Sequence, residues 1–174
     1  GEGNATPKMA ALAAEANLAL PLGKSVDVIS EGTCLVIGAE AAISAAIDLC
    51  ETLAVSALVP HGDLVPLDRR FDCVVGKVRN VSGALGGFSV KIDELQQVTP
   101  GGRGAFTLSD PLDGAASSCD IILDLSGATA MVPAPEKREG YLRADPSHAP
   151  AIAKATFEAS QLIGTFEKPL YVRL

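Results

Sequence analysis

The chain has 174 residues, of which 48% are hydrophobic and 20% are charged, a composition typical of one soluble globular domain with a sizeable core. Its net charge of −7 argues against a surface for nucleic acid or anionic lipid. No uncharged apolar run is long enough to cross a membrane. We therefore expect neither nucleic acid as a partner nor a membrane span.

The first half of the sequence alternates helix and strand patterns. Apolar residues at three- and four-residue spacing predict an amphipathic helix over 7–20. A buried strand over 33–38, a helical stripe over 41–53 and a second apolar run over 54–59 predict a βαβ unit. From residue 71 two β runs are joined by glycines within 82–87, which predicts a β-hairpin.

The second half contains fewer regular patterns. Glycines and prolines predict an irregular or edge segment over 99–114, and an apolar run predicts a buried strand over 119–125. An extended loop over 131–143, a helix from Pro146 to about Gly164 and a closing strand over 170–174 follow. Together these elements predict an α/β fold, namely a Rossmann-like three-layer domain with a mostly parallel sheet plus a β-hairpin.

The four cysteines, Cys34, Cys50, Cys73 and Cys119, are too far apart in sequence for the C-x2-C pairs of local metal sites. Three of them lie in or beside apolar runs, which indicates small buried side chains. A shared metal site and an isolated reactive thiol are the alternatives. Reduced cysteines and the lack of a signal segment favour a cytoplasmic setting.

The turn after the first buried strand is the pattern most like a cofactor motif. A dinucleotide fingerprint G-x-G-x-x-G needs glycines that let the backbone approach a diphosphate. Gly38 supplies the first glycine, whereas Glu40 and Ile43 occupy the other two positions. The pattern favours a tight strand-to-helix connection, with nucleotide or flavin binding at Gly38 as the alternative.

Ser126 and Gly127 form a second candidate, at the end of the strand over 119–125. Hydroxyl and backbone N–H groups at the carboxyl edge of an α/β sheet are placed on its usual ligand side. Asp124 lies just before them, but His61 and His148 fall in predicted loops, so a hydrolase triad lacks a base. We assign no catalytic residue and no metal ligand.

The most charged stretch, residues 136–143, is the third candidate. It contains Lys137, Arg138, Tyr141 and Arg143 within an otherwise acidic protein. Such a segment is either a solvated loop with local ion pairs or a docking surface for another domain or an anionic ligand.

Several stretches resemble one known family. They are the hairpin sequence over 76–90, the strand over 119–125 with Ser126 and Gly127, the segment PAPEKREGYLRADP at 133–146, and TFEKPLYV at 165–172. Together they look like the amino-terminal region of multidomain bacterial ferredoxin-type proteins that bind 4Fe-4S clusters. The hairpin and the preceding strand-turn-helix also look like pieces of the flavoprotein subunit of heterodisulfide reductase.

The resemblance implies that residues 1–174 are a single Rossmann-like domain from a longer chain. The 4Fe-4S clusters would then be held by cysteine-rich runs in a ferredoxin domain downstream of residue 174, its partner in the same chain, with no cofactor in this piece. The implied role is a non-catalytic accessory or docking domain of an electron-transfer protein. The alternatives are a degenerate nucleotide- or flavin-binding module of an oxidoreductase, and a scaffold that holds subunits together.

Overall fold

The computed structural model describes residues 25–132 and 138–169. The predicted helix over 7–20 and the predicted strand over 170–174 lie outside the described residues. The described elements are β1 (Ser25–Ser30), β2 (Thr33–Gly38), α1 (Glu40–Leu49), β3 (Ala54–Val59), β4 (Asp72–Ser82), β5 (Phe88–Pro100), β6 (Phe106–Leu108), β7 (Ala115–Cys119), β8 (Ile121–Leu125), β9 (Tyr141–Arg143), α2 (Ala149–Ser160) and β10 (Gly164–Pro169).

The chain divides into two compact units, one from Ile29 to Gly164 and one made of Gly1–Val28 and Thr165–Leu174. Strands β1 and β10 pair with each other as a two-stranded sheet. Every candidate site residue belongs to the unit from Ile29 to Gly164. No helix among the described residues is long and apolar enough to cross a membrane.

Five parallel strands, in the order β4-β3-β2-β8-β9, form one side of the larger sheet and end at β9. β2 lies at their centre, and its residues from Cys34 to Gly38 are buried on both faces, as a central parallel strand requires. The chain leaves β2, passes through α1 and returns as β3 alongside it. This arrangement confirms the predicted βαβ unit.

Strands β4 and β5 form the predicted antiparallel hairpin. Gly83 in its connection has φ +94°, and a Cβ there would lie 2.2 Å from the carbonyl oxygen of Gly87, so the turn requires glycine. β5 is 13 residues long, and its outer edge pairs with β7 near the turn and with β6 at the far end. The segment 99–114 therefore contains an edge strand within its irregular stretch.

The α/β class is confirmed, but the larger sheet of eight strands is mixed, because β5, β6 and β7 run antiparallel to their neighbours. The expected three layers are not present among the described residues. Helices α1 and α2 contact each other, and both contact β8, so they cover the same face of the sheet. Strands β5 and β7 pack against the opposite face through Phe88, Val90, Ile92 and Cys119.

Asp120 alone separates β7 from β8 and divides the segment predicted as one strand over 119–125. β7 pairs with β5, whereas β8 pairs with β2. The continuous segment β7–β8 therefore connects β5 to β2, and the sheet bends back on itself; we call this bend the curl. The Asp120 carboxylate accepts hydrogen bonds from the N–H groups of Glu31 (2.9 Å) and Thr33 (3.2 Å). The N–H of Asp120 donates to the Thr33 carbonyl oxygen at 2.9 Å.

A hydrophobic core fills the inside of the curl. Gly76 on β4 leaves room for the side chain of Ile92 on the paired strand β5, since a Cβ at Gly76 would lie 2.8 Å from Cγ2 of Ile92. The buried members of this core are Leu35, Ile37, Leu58, Phe88, Val90, Ile92, Cys119 and Ile122.

The segment predicted as an extended loop over 131–143 ends in a strand. Its last three residues form β9, which pairs in parallel with β8 through Tyr141 opposite Ile122 and Arg143 opposite Asp124. The helix predicted from Pro146 begins at Ala149, and His148 caps it by accepting a hydrogen bond at Nδ1 from the N–H of Ala151.

Candidate functional site

The carboxyl ends of β2 and β8 lie where the strand order reverses. From β2 the chain continues to β3 and β4 on one side, whereas β8 and β9 lie on the other. Open α/β sheets bind ligands in the crevice at such a point. The predicted candidates Gly38, Ser126 and Gly127 follow these two strands. We call this region, together with Asp124, Tyr141 and Arg143, the switch edge.

Gly38 is required for packing at the switch edge. Its φ is +149°, and a Cβ on it would lie 2.7 Å from the carbonyl oxygen of Leu125 and 3.2 Å from Cβ of Ala42. The absent side chain therefore lets β8 and α1 approach the end of β2. Gly38 therefore has a packing role that does not require a bound nucleotide.

The start of α1 disfavours an anionic ligand. Its N-cap residue, Ala39, provides no side-chain hydrogen bond, and the first turn carries the exposed carboxylate of Glu40. A carboxylate at the amino end of a helix interacts favourably with the helix dipole. It also repels a phosphate group that approaches the free N–H groups of the first turn.

Asp124 is fully buried at the end of β8. Its Oδ1 accepts hydrogen bonds from the Ser126 hydroxyl at 2.6 Å and the Ser126 N–H at 3.0 Å, and its Oδ2 accepts one from the Tyr141 hydroxyl at 2.6 Å. A buried carboxylate is tolerated only with such partners. The sequence shows an acidic residue inside an apolar strand, but the partner Tyr141 lies 17 residues further along the chain.

Tyr141 is half-buried, and its hydroxyl also accepts a hydrogen bond from the N–H of Met131 at 3.1 Å. Burial, together with the hydrogen bond to Asp124, raises the pKa of Tyr141 to about 12. The phenol therefore stays protonated at neutral pH and acts as a hydrogen-bond donor to Asp124.

Arg143 supplies the positive charge of the switch edge. Its Nε lies 3.8 Å from Oδ2 of Asp124, and its terminal nitrogen donates a hydrogen bond to the carbonyl oxygen of Ala128. The side chain remains 42% exposed. Arg143 thus neutralises a buried carboxylate on one side and faces solvent on the other.

The loop from Ser126 to Ala128 is held by its own contacts. The N–H of Ala128 donates to the Ser126 hydroxyl oxygen at 3.3 Å. Gly127 has φ +71°, and a Cβ on it would lie 3.1 Å from Cγ of Pro146. Both sequence candidates in this loop are therefore engaged by neighbouring parts of the chain.

The predicted docking arm is described from Arg138 onwards, and Lys137 lies outside the described residues. The arm packs against the hairpin connection, because the Glu139 carbonyl accepts a hydrogen bond from the N–H of Leu85 at 3.1 Å. A Cβ on Gly140 would lie 3.0 Å from atoms of Leu85 and Phe88. The structure places Tyr141 and Arg143 next to Asp124. Arg138 lies earlier in the arm and is half-buried.

The cysteines are free thiols. Burial raises the pKa of both Cys34 and Cys119 to about 12, and that of half-buried Cys73 to about 11. Within residues 25–132 and 138–169 no three His, Cys, Asp or Glu side chains are grouped as metal ligands. The described cysteines do not fit a 4Fe-4S cluster, which needs four thiolates around one centre.

Sequence reasoning missed two neighbouring clefts at the opposite edge of the sheet, with volumes of about 700 and 390 Å³. Their shared lining includes Ser56, Arg69, Asp72 and Ser117. These residues come from three separate segments of the chain, since only Arg69 and Asp72 are close in sequence, and no local motif connects the three.

The switch edge holds a protonated phenol, a buried carboxylate and a half-exposed guanidinium that bond to one another. The Ser126 hydroxyl donates to Asp124, and neither histidine is hydrogen-bonded to it among the described residues. This arrangement fixes the loops after β8 and around β9. In comparisons with known proteins, no family model, no curated protein and no solved structure matches the chain.

Proposed function

We propose that the chain is a non-catalytic accessory domain of a cytoplasmic electron-transfer protein of the 4Fe-4S ferredoxin type, and that it docks the cluster-bearing domain. The observation that carries the proposal is the mutual bonding of Asp124, Ser126, Tyr141 and Arg143. Polar groups that bind a substrate need free donors or acceptors, whereas these are used to fix the edge of the sheet.

Three of the stretches that carry the family resemblance, in their described parts 76–90, 119–127 and 138–146, are neighbours in the fold, which supports the proposal. The N–H of Gly86 in the hairpin donates to the Asp120 carbonyl oxygen at 3.0 Å, and β9 pairs with β8. Residues far apart in sequence thus form one continuous substructure around the hairpin connection and the switch edge.

We infer that the docking surface is the outer edge of β9 with the adjoining loop over 126–129. β9 ends the path of the larger sheet, and no strand among the described residues pairs with its outer edge. The half-exposed guanidinium of Arg143 gives this edge a positive group in a chain of net charge −7. A positive group of this kind steers an acidic partner domain.

Clusters in this proposal belong to the ferredoxin domain, since the described cysteines do not fit one. When bound there, a 4Fe-4S cluster supplies one-electron transfer. The contribution of this chain is to position that domain through the β9 edge.

The first test is chemical analysis of two samples, namely the polypeptide as the cell makes it and the 174-residue chain alone. Iron and acid-labile sulfide, assayed after anaerobic purification, are expected in the cellular polypeptide and not in the 174-residue chain. Iron and sulfide missing from the cellular polypeptide would overturn the proposal.

Docking is tested by hydrogen exchange with mass spectrometry on the same two samples. We expect amides of 126–129 and 141–143 to exchange more slowly in the cellular polypeptide, whereas amides of α2 serve as an internal control and keep their rates. Equal exchange at the β9 edge in both samples would contradict the docking role.

A second candidate is a degenerate nucleotide- or flavin-binding module, and the strand order favours it. The order β4-β3-β2-β8-β9 corresponds to 3-2-1-4-5 in Rossmann-like dinucleotide-binding folds. Calorimetry with FAD, FMN and NAD separates the candidates. Our proposal expects no binding by the chain or by its Glu40→Gly variant, whereas saturable binding by either would favour the second candidate.

A further inference from the structure

The two clefts at the edge opposite the switch edge share a polar junction. Leu35, Ser56, Arg69, Phe71, Asp72 and Ser117 line both of them. The larger cleft, of about 700 Å³, lies within the size range of small-molecule sites.

The curl of the sheet explains why this junction has an apolar floor. Leu35 pairs in register with Ser56, and both lie on the inner face, where Leu35 belongs to the buried core. Val74 and Ile92 continue the lining of the larger cleft. The hydrophobic core fills the rest of the inner face beyond these residues, and the clefts lie at the end of the curl that the core leaves open.

Arg69 and Asp72 place one positive and one negative charge at the junction. Both side chains are exposed, and among the described residues neither forms an ion pair or a side-chain hydrogen bond. The neighbouring Arg70 pairs with Asp68 at 2.7 Å, so this second pair adds no free charge. Arg69 and Asp72 are therefore both available to a ligand.

We propose that the junction binds an apolar α-amino acid in its zwitterionic form. Its carboxylate would contact the Arg69 guanidinium and its ammonium group the Asp72 carboxylate, while its side chain would lie on the floor at Leu35. A simple anion is a poorer match because Asp72 repels it, and a simple cation is opposed by Arg69 in the same way.

The hydroxyls of Ser56 and Ser117 complete the polar junction. Both residues have accessible surface, and a hydroxyl both donates and accepts hydrogen bonds. Each hydroxyl would donate a hydrogen bond to the carboxylate of the amino acid or accept one from its ammonium group. This site lies apart from the switch edge, and it does not depend on the electron-transfer role.

Isothermal titration calorimetry of the chain at neutral pH tests the proposal with matched probes. L-leucine and L-phenylalanine carry all three recognised groups. The carboxylate 4-methylpentanoate lacks the ammonium group, 3-methylbutylamine lacks the carboxylate, and glycine lacks the apolar side chain. We expect saturable binding of the two apolar amino acids and weaker binding of each of the other three.

Charge-removing variants locate the contacts. Arg69→Gln and Asp72→Asn should each weaken L-leucine binding by about fivefold or more, as expected for one partly solvated charge contact. The controls Lys154→Gln and Asp110→Asn remove exposed charges elsewhere and should leave the affinity unchanged. Circular dichroism shows whether each variant keeps the fold.

Three results would overturn the proposal. One is the absence of heat with either apolar amino acid, and another is equal weakening by the control variants. The third is equal affinity for 4-methylpentanoate and L-leucine with no effect of Asp72→Asn, which would indicate a site for simple anions.

Discussion

At the scale of single residues, the switch edge depends on the buried carboxylate of Asp124. Its three hydrogen bonds come from Ser126, two positions away, and from Tyr141 on the neighbouring strand. The local partner follows from the sequence, because a serine so close to an aspartate commonly bonds to it. The distant partner does not, because only the pairing of β8 with β9 brings Tyr141 to Asp124.

Replacing Tyr141 with Phe should lower the free energy of unfolding by about 1–3 kcal/mol, because the buried Asp124 loses one hydrogen bond. Urea denaturation followed by circular dichroism measures the change. A loss below the error of the method would show that Ser126 and Arg143 suffice to stabilise the carboxylate.

The same variant has a predictable pH dependence. The pKa of Tyr141 is raised in the fold from its ordinary value of 10 to about 12. Its contribution to stability is therefore complete below pH 10 and is lost as pH rises towards 12. The stability difference between the wild type and Tyr141→Phe should shrink over this interval. A constant difference would contradict the assigned hydrogen bond.

Gly38→Ala should destabilise the fold by about 3 kcal/mol, because its φ of +149° is strained for alanine and its Cβ would meet the Leu125 carbonyl. Gly87→Ala is the control, since a Cβ there meets no atom within 4 Å. Chemical denaturation of both variants measures the effects. Similar losses at the two sites would show that the approach of β8 to β2 does not require Gly38.

At the scale of elements, periodicity predicted the units whose partners are adjacent in sequence. The βαβ unit and the β4–β5 hairpin have such partners, and both form. The division of 119–125 at Asp120 was not predictable from apolar spacing, because Cys119 and the residues of β8 read as one apolar run. It arises from the bonds between Asp120 and the turn at Glu31 and Thr33.

Asp120→Ala should lower the free energy of unfolding by about 1–3 kcal/mol, because the N–H groups of Glu31 and Thr33 lose their acceptor. Asp120→Asn keeps an acceptor oxygen and should lose less. Asp110→Ala removes an exposed carboxylate and serves as the control. Thermal and urea denaturation measure all three. Equal losses for Asp120→Ala and Asp110→Ala would contradict a structural role for the hydrogen bonds between Asp120 and the turn at Glu31 and Thr33.

At the scale of the whole molecule, the mixed sheet explains why the periodicity of the elements could predict the α/β class but not the layers. Apolar strands in a βαβ context predict helices on both faces of a parallel sheet. Here β5 and β7 pack against the inner face, through residues such as Phe88 and Cys119. The curl depends on long-range pairing, which no local pattern encodes.

Thiol reactivity should report on the intact fold. In the native chain at pH 8 we expect iodoacetamide to leave Cys34 and Cys119 unmodified, because both are buried and burial raises the pKa of each to about 12. In denaturant all four cysteines should react. Peptide mass mapping identifies the modified sites. Modification of Cys34 in the native chain as fast as in denaturant would contradict its position in the core.

The connection of β7 to β8 at Asp120 affects the order in which the parts of the sheet fold. The contact between Asp120 and Thr33 closes 87 residues of chain, and it forms where one segment pairs with both β5 and β2. Closing so long a loop costs entropy before its contacts stabilise it, which slows folding. We therefore expect the hairpin and the β2–α1–β3 unit to form first, and the β7–β8 segment to insert between them in a later step.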